Sequence, residues 1–173
     1  MKHDYYIEQS ELVLKPLEFI DLEYLRTLRN KNRMFFVNKQ KISKKNQEKW
    51  FKYYLTKEDD FMFSVVVGKI TVGFLGLYNF TNDSAEFGRI VIDETAPRYT
   101  AARAICLLLD FFFEKRRLSA VVCSVLKDNS RAKSLYELIG FKKYDESESL
   151  IYYKTTKNSN IKTTKKLRSI GIL

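Results

Sequence analysis

Asn129 and Tyr136 stand seven residues apart, about two turns of helix. A helix beginning near Ser130 therefore turns an amide and a phenol toward one groove, where they can address one ligand. Both residues also suit plainer duties, Asn129 as a helix cap and Tyr136 as a core aromatic. Rival chemistry is scarce. Cys106 and Cys123 lie in apolar surroundings without Cys-x-x-Cys spacing, the setting of small core residues rather than of nucleophiles, zinc ligands or disulfides. The one histidine, His3, sits at an end expected to fray, so a Ser-His or Cys-His mechanism would lack a fixed base. No Gly-rich Lys-Ser/Thr loop and no His-Glu-x-x-His pair occurs, which removes support for phosphate-loop kinases and zinc proteases. No metal is expected.

The elements that must hold these groups fit one domain, since the chain has 173 residues and a domain runs to about 100–200. Hydrophobic residues make up 45%, with 13 Phe and 11 Tyr, enough for a sizeable core and against a disordered chain. The longest central apolar runs, 105–109 and 111–113, are split by Asp110 and fall far short of the ~18 residues of a membrane span. The first residues have no apolar segment behind Lys2 and no small-residue cleavage site, so no secretion signal is expected and the expected compartment is the cytoplasm. The net charge of +10 is uneven: residues 154–173 carry six cations and no acid, leaving only +4 for residues 1–153. That end reads as a basic, solvated extension, with a nucleic-acid or phosphate-binding arm as the alternative.

Leu12–Pro16 has the apolar density and proline stop of a strand, and Asp21 opens a helical pattern through Leu22, Leu25 and Leu28. Ser43 can cap a second helix carrying Trp50, Phe51 and Tyr54, with a basic loop or broken helix before it. Phe61–Val67 and residues 70–77 flank Gly68-Lys69, a hairpin signal, and residues 86–92 extend the meander. After Pro97 the pattern predicts a long apolar helix over Thr100–Lys115, a buried strand over 120–125, and a helix capped by Asn129 or Ser130 and ended by Gly140. Phe141 starts another strand pattern and residues 147–153 a final one. The class is α+β, a mixed but mostly antiparallel sheet of about six or seven strands flanked by about four helices.

That order, and above all Asp128-Asn129-Ser130-Arg131-Ala132-Lys133-Ser134-Leu135-Tyr136-Glu137-Leu138-Ile139-Gly140-Phe141, resembles the GNAT superfamily of acyl-CoA-dependent N-acetyltransferases. The resemblance spans Leu12 to Tyr153, so 1–153 is taken as the acetyltransferase domain and 154–173 as its basic extension. It implies a GNAT-like fold with a splayed parallel pair of strands and acetyl-CoA as donor. Asn129 would bond the pantetheine arm with Arg131 beside it, and Tyr136 would protonate the departing thiolate. It also implies that the carbonyls of Val91 and Ile92 meet pantetheine, and that Glu86 accepts the amine proton directly or through water. Glu86 equally fits a surface residue opposite a lysine on a neighbouring strand. The family's phosphate-binding turn maps onto Arg98-Tyr99-Thr100-Ala101-Ala102-Arg103. There Ala101 replaces a glycine and Arg103 fills a position normally kept small, so its guanidinium must either swing away or lie beside the pyrophosphate. The second is the expectation.

Residues 25–30, 36–43 and 48–51 resemble a branch acting on nucleotide-linked amino-deoxy sugars and, more distantly, on ribosomal-protein amino termini. Arg29, Asn30, Phe36, Asn38 and Trp50 would border the acceptor pocket, with Arg33 and Phe35 on its rim, offering cations to a diphosphate and rings to a base or sugar. Trp50 also fits the buried face of an amphipathic helix. The expected reaction is direct acetyl transfer to a primary amine of a small molecule, with a nucleotide-linked amino-deoxy sugar as the expected acceptor. The alternatives are a protein amino terminus or another small amine, and, outside enzymes, a basic nucleic-acid-binding module with a decayed CoA turn. Nucleic acid is not the expected partner, and a homodimer is left open.

Overall fold

The computed structural model describes residues 2–173. Its first half forms β1 (Ile7–Gln9), β2 (Leu12–Pro16), α1 (Leu22–Lys31), α2 (Lys44–Leu55), β3 (Phe61–Val67), β4 (Ile70–Tyr78) and β5 (Ser84–Ile92). The second half forms α3 (Thr100–Lys115), β6 (Ala120–Leu126), α4 (Ser130–Leu138), β7 (Lys142–Glu146), β8 (Leu150–Thr156) and α5 (Lys157–Ser169). Helix α1 buries Leu22, Leu25 and Leu28, one apolar stripe, and α2 starts where Ser43 Oγ accepts from the Asn46 amide at 3.2 Å. Both cover one face of the sheet with Phe51, Tyr54, Met62 and Phe74 between. Helix α3 covers the other face with Ile105, Leu109 and Phe112 against Phe63 and Leu75.

The eight strands run in the order β1-β2-β3-β4-β5-β6-β8-β7, and among the described residues only β5 and β6 are parallel. Those two pair only over residues 84–86 and 120–122 and then diverge. The bend has a local cause. Phe74 faces Val91 and Gly76 faces Gly88, so one residue of β4 spans two of β5, with Arg89 at φ +53°. Such a bulge bends and twists its strand, carrying the end of β5 away from β6.

The expected α+β mixed sheet is present, with one more strand and one more helix than the pattern gave. The added strand, β1, has three residues, too few to show alternation. The added helix corrects the reading of 154–173 as a solvated appendage: β8 continues to Thr156, whose side chain caps α5, and Asn160, Thr164 and Leu167 are buried. Asn160 Nδ2 donates to Asp110 on α3 at 2.5 Å, so the contact surface is largely polar and gives little hydrophobic pattern.

The amino end is also tied down. The His3 ring packs 4.8 Å from Phe63 and 5.3 Å from Phe61 between centroids, with Nε2 3.3 Å from the Met62 carbonyl. Burial holds the imidazole below its ordinary 6.5. The unfolded chain therefore takes up the proton first, and stability conferred by neutral His3 is complete above that ordinary value and lost as pH falls through and below it. Thermal melts should show Tm falling by a few degrees from pH 7 to 5, and His3→Phe should flatten that slope. An unaltered slope would contradict it.

Candidate active site

Where β5 and β6 part, a cavity of about 630 Å³ opens, lined by both strands, α4, and the α1–α2 side of the molecule. Asn129 caps α4: its Oδ1 accepts from the Ala132 amide at 3.1 Å, and Nδ2 donates to the Phe35 carbonyl at 3.4 Å. One Nδ2 hydrogen remains for a ligand. Two turns on, Tyr136 lines the cavity while only 4% exposed. Its ring packs 6.1 Å from Phe87, 5.8 Å from Phe141 and 6.0 Å from Tyr153. Its hydroxyl makes no hydrogen bond among the described residues, and burial pushes the phenol well above its ordinary range. A phenol kept neutral is a proton donor. Gly140, at φ +88°, ends the helix in the left-handed conformation that glycine tolerates. Arg131 lies exposed on the cavity's border.

Tyr99, at φ 65°, precedes α3 without a side-chain cap. The Thr100 amide and hydroxyl both donate to the Pro97 carbonyl, at 3.1 and 2.7 Å, and the Arg103 amide donates to Tyr99 at 2.9 Å. That leaves the Ala101 and Ala102 amides without helical acceptors, the usual anion-seeking groups of a helix start. Ala101 borders the cavity; Arg98, Thr100, Ala102 and Arg103 do not. Arg98 is exposed with its guanidinium 4.6 Å from the Tyr99 ring centroid. Arg103 departs from expectation: it swings toward the β1–β2 turn, with Nη1 3.6 Å from Glu11 Oε1. From the second turn of α3 its side chain reaches an acid there, which leaves the helix start clear.

On β5 the Asp93 amide donates to Val72 at 2.8 Å. Strand alternation then turns Val91's backbone groups toward β4 and those of Ile92 toward the opening. The Val91 carbonyl is thus spent inside the sheet, against expectation, whereas Ile92 faces the gap. Glu86 lines the cavity. It is held by protein donors rather than by a lysine: Tyr78 Oη donates to Oε1 at 3.2 Å and Asn79 Nδ2 to Oε2 at 2.8 Å.

Across the cavity, Arg29 Nη2 donates to the Asn38 carbonyl at 2.6 Å, and the guanidinium stacks 3.6 Å from the Phe36 ring centroid. Its Nη1 is buried without a partner, no carboxylate lies within ion-pair distance among the described residues, and desolvation lowers its pKa. Trp50 lines the cavity and stacks on Tyr54, rings 13° from parallel, so it is both packing and wall. Asn30 does not face the cavity: Nδ2 donates to the Ile42 carbonyl at 3.0 Å and Oδ1 accepts its amide at 2.8 Å. Both polar ends are used in pinning the α1–α2 loop.

Sequence reasoning missed Tyr78 and the pair Arg89–Asp60. Arg89 Nη1 is 2.6 Å from Asp60 Oδ1, and its guanidinium lies 4.0 Å from the Tyr78 ring centroid. Counting the β4–β5 hairpin register would have set Tyr78 opposite Glu86; the bulge that orients Arg89 leaves no mark in composition. Among the described residues no cluster of His, Cys, Asp and Glu could hold a metal, and no helix is long and apolar enough to cross a membrane.

The sheet is split over one strand pair, with the Glu86 carboxylate and the neutral Tyr136 phenol both lining the cleft. The family model described as an acetyltransferase (GNAT) domain matches residues 11–142. This chain belongs to that family and is an N-acetyltransferase, with acetyl-CoA the donor such a fold uses. No curated protein matches it. Among solved structures, apo FdhC, a nucleotide-linked sugar GNAT, superposes with TM-score 0.85 at 21% identity over 96% of this chain and 98% of its own. Spermidine N-acetyltransferase from Vibrio cholerae, in complex with CoA and spermine, gives 0.77 at 24% over 88% and 99%. The N-acetyltransferase PseH of Campylobacter jejuni gives 0.69 at 19% over 85% and 99%. At these identities the likeness concerns the fold.

Proposed function

We propose that this enzyme transfers acetyl from acetyl-CoA directly to the primary amine of an anionic small molecule, a nucleotide-linked amino-deoxy sugar. One observation carries the choice of acceptor: the half-buried Arg29, with Nη1 unpartnered and no carboxylate beside it among the described residues. An unpaired buried cation is costly, and a phosphate oxygen offsets that cost with charge-assisted hydrogen bonds. A polyamine would only add like charge. The stacked Phe36 and Trp50 suit the base or sugar ring.

Acetyl-CoA supplies the activated acyl group, and the chain's residues do the rest. The Ala101 and Ala102 amides hold the pyrophosphate, the Ile92 backbone and the free Asn129 hydrogen hold the pantetheine arm, and Glu86 receives the amine proton. Tyr136 delivers a proton to sulfur. A covalent acyl-enzyme is not part of the route, because burial pushes the Cys106 thiol up to about 12 and Cys123 further.

The test is thiol release from acetyl-CoA with a panel of nucleotide-linked amino sugars, the same sugars without the nucleotide, spermidine and a ribosomal amino-terminal peptide. Nucleotide-linked amino sugars should give the highest kcat/KM, with a loss of about tenfold or more when the diphosphate is removed. Preference for spermidine, or for the peptide, would overturn the assignment.

A further inference from the structure

Glu86 is the group expected to end with the amine proton, yet both its oxygens already accept hydrogen bonds, from Tyr78 and Asn79. Tyr78 and Glu86 are directly opposite in the β4–β5 ladder, so their side chains share a face. Gly88, two residues on, lies on that face too. A Cβ built on Gly88 would clash with Tyr78 Oη and lie 3.3 Å from its Cζ. The phenol therefore lies across a position kept bare. Arg89, fixed by Asp60, packs on its ring, and Tyr78, Glu86 and Gly88 all line the cavity.

We propose that Tyr78 is a catalytic residue that takes the acceptor amine's proton on Oη while passing its own proton to Glu86 Oε1. The inference rests on the acetyltransferase reading above. As the new N–C bond forms, the N–H bond breaks toward Tyr78 and the Tyr78 O–H bond breaks toward Glu86. The C–S bond then breaks with Tyr136 protonating sulfur, and exchange with water returns one proton from Glu86 and one to Tyr136. Tyr78 begins and ends neutral, in keeping with the burial and the Glu86 charge that push its pKa upward.

The experiment measures kcat/KM, acetyl-CoA affinity and the solvent-deuterium proton inventory of the wild type, Tyr78→Phe and Gly88→Ala, with a nucleotide-linked amino sugar as acceptor. Tyr78→Phe should lose about 100-fold in kcat/KM with acetyl-CoA affinity unchanged. Its inventory should be linear where that of the wild type is bowed by two protons in flight. Gly88→Ala, which displaces the hydroxyl but keeps it, should lose rate in the same direction. Wild-type kcat/KM in Tyr78→Phe, or a linear inventory in the wild type, overturns the relay and leaves the acetyltransferase intact. No turnover by the wild type with any amine of the panel overturns both.

Discussion

Tyr136→Phe is expected to lower kcat by about 10²–10⁴-fold, the usual worth of a well-placed general acid, with the dissociation constant of acetyl-CoA little changed. The reason is local. The hydroxyl makes no hydrogen bond among the described residues, so removing it breaks no framework contact, and the ring that packs against Phe87, Phe141 and Tyr153 stays in place. Burial keeps the phenol protonated at neutral pH, the form a departing thiolate needs. Single-turnover rates with a calorimetric acetyl-CoA titration separate the two quantities. An unchanged kcat removes the acid role from Tyr136.

The second large effect belongs to Arg29→Gln. For an anionic acceptor kcat/KM should fall by about 10–100-fold, the loss of one or two charge-assisted hydrogen bonds, whereas an uncharged amine should be used almost as before. The empty protein should melt at the same temperature or higher, because the substitution removes a half-buried cation with no anion beside it among the described residues. Melting curves and kinetics on the two acceptors check this. Equal losses on both acceptors would show that Arg29 supports the loop rather than recognising charge.

The parts of the site legible in sequence are those set by spacing along one element. Asn129 caps the helix, Tyr136 follows two turns later and Gly140 closes it, all readable without a partner strand. What failed depends on direction in space. Asn30, expected to border the acceptor pocket, turns instead to Ile42, Arg103 follows an acid on another turn, and Val91 and Ile92 differ only by strand alternation. The carboxyl-terminal helix was hidden because it buries Asn160 and Thr164 beside Leu167, giving polar residues where a pattern search expects apolar ones. Tyr78 gains its meaning only from Gly88, whose missing side chain is a negative feature.

The short parallel pairing of β5 and β6 has a bearing on how the molecule breathes. Among the described residues, three residue pairs form the only ladder between the five strands before it and the three after it; helix packing and loop contacts such as Ser119 to Asp83 supply the remaining linkage. Amides of β6, β8 and β7 should thus exchange with deuterium as one cooperative group, separately from β2 to β4. Ligand filling the gap should slow that exchange, since it replaces the missing rungs between two otherwise separable blocks.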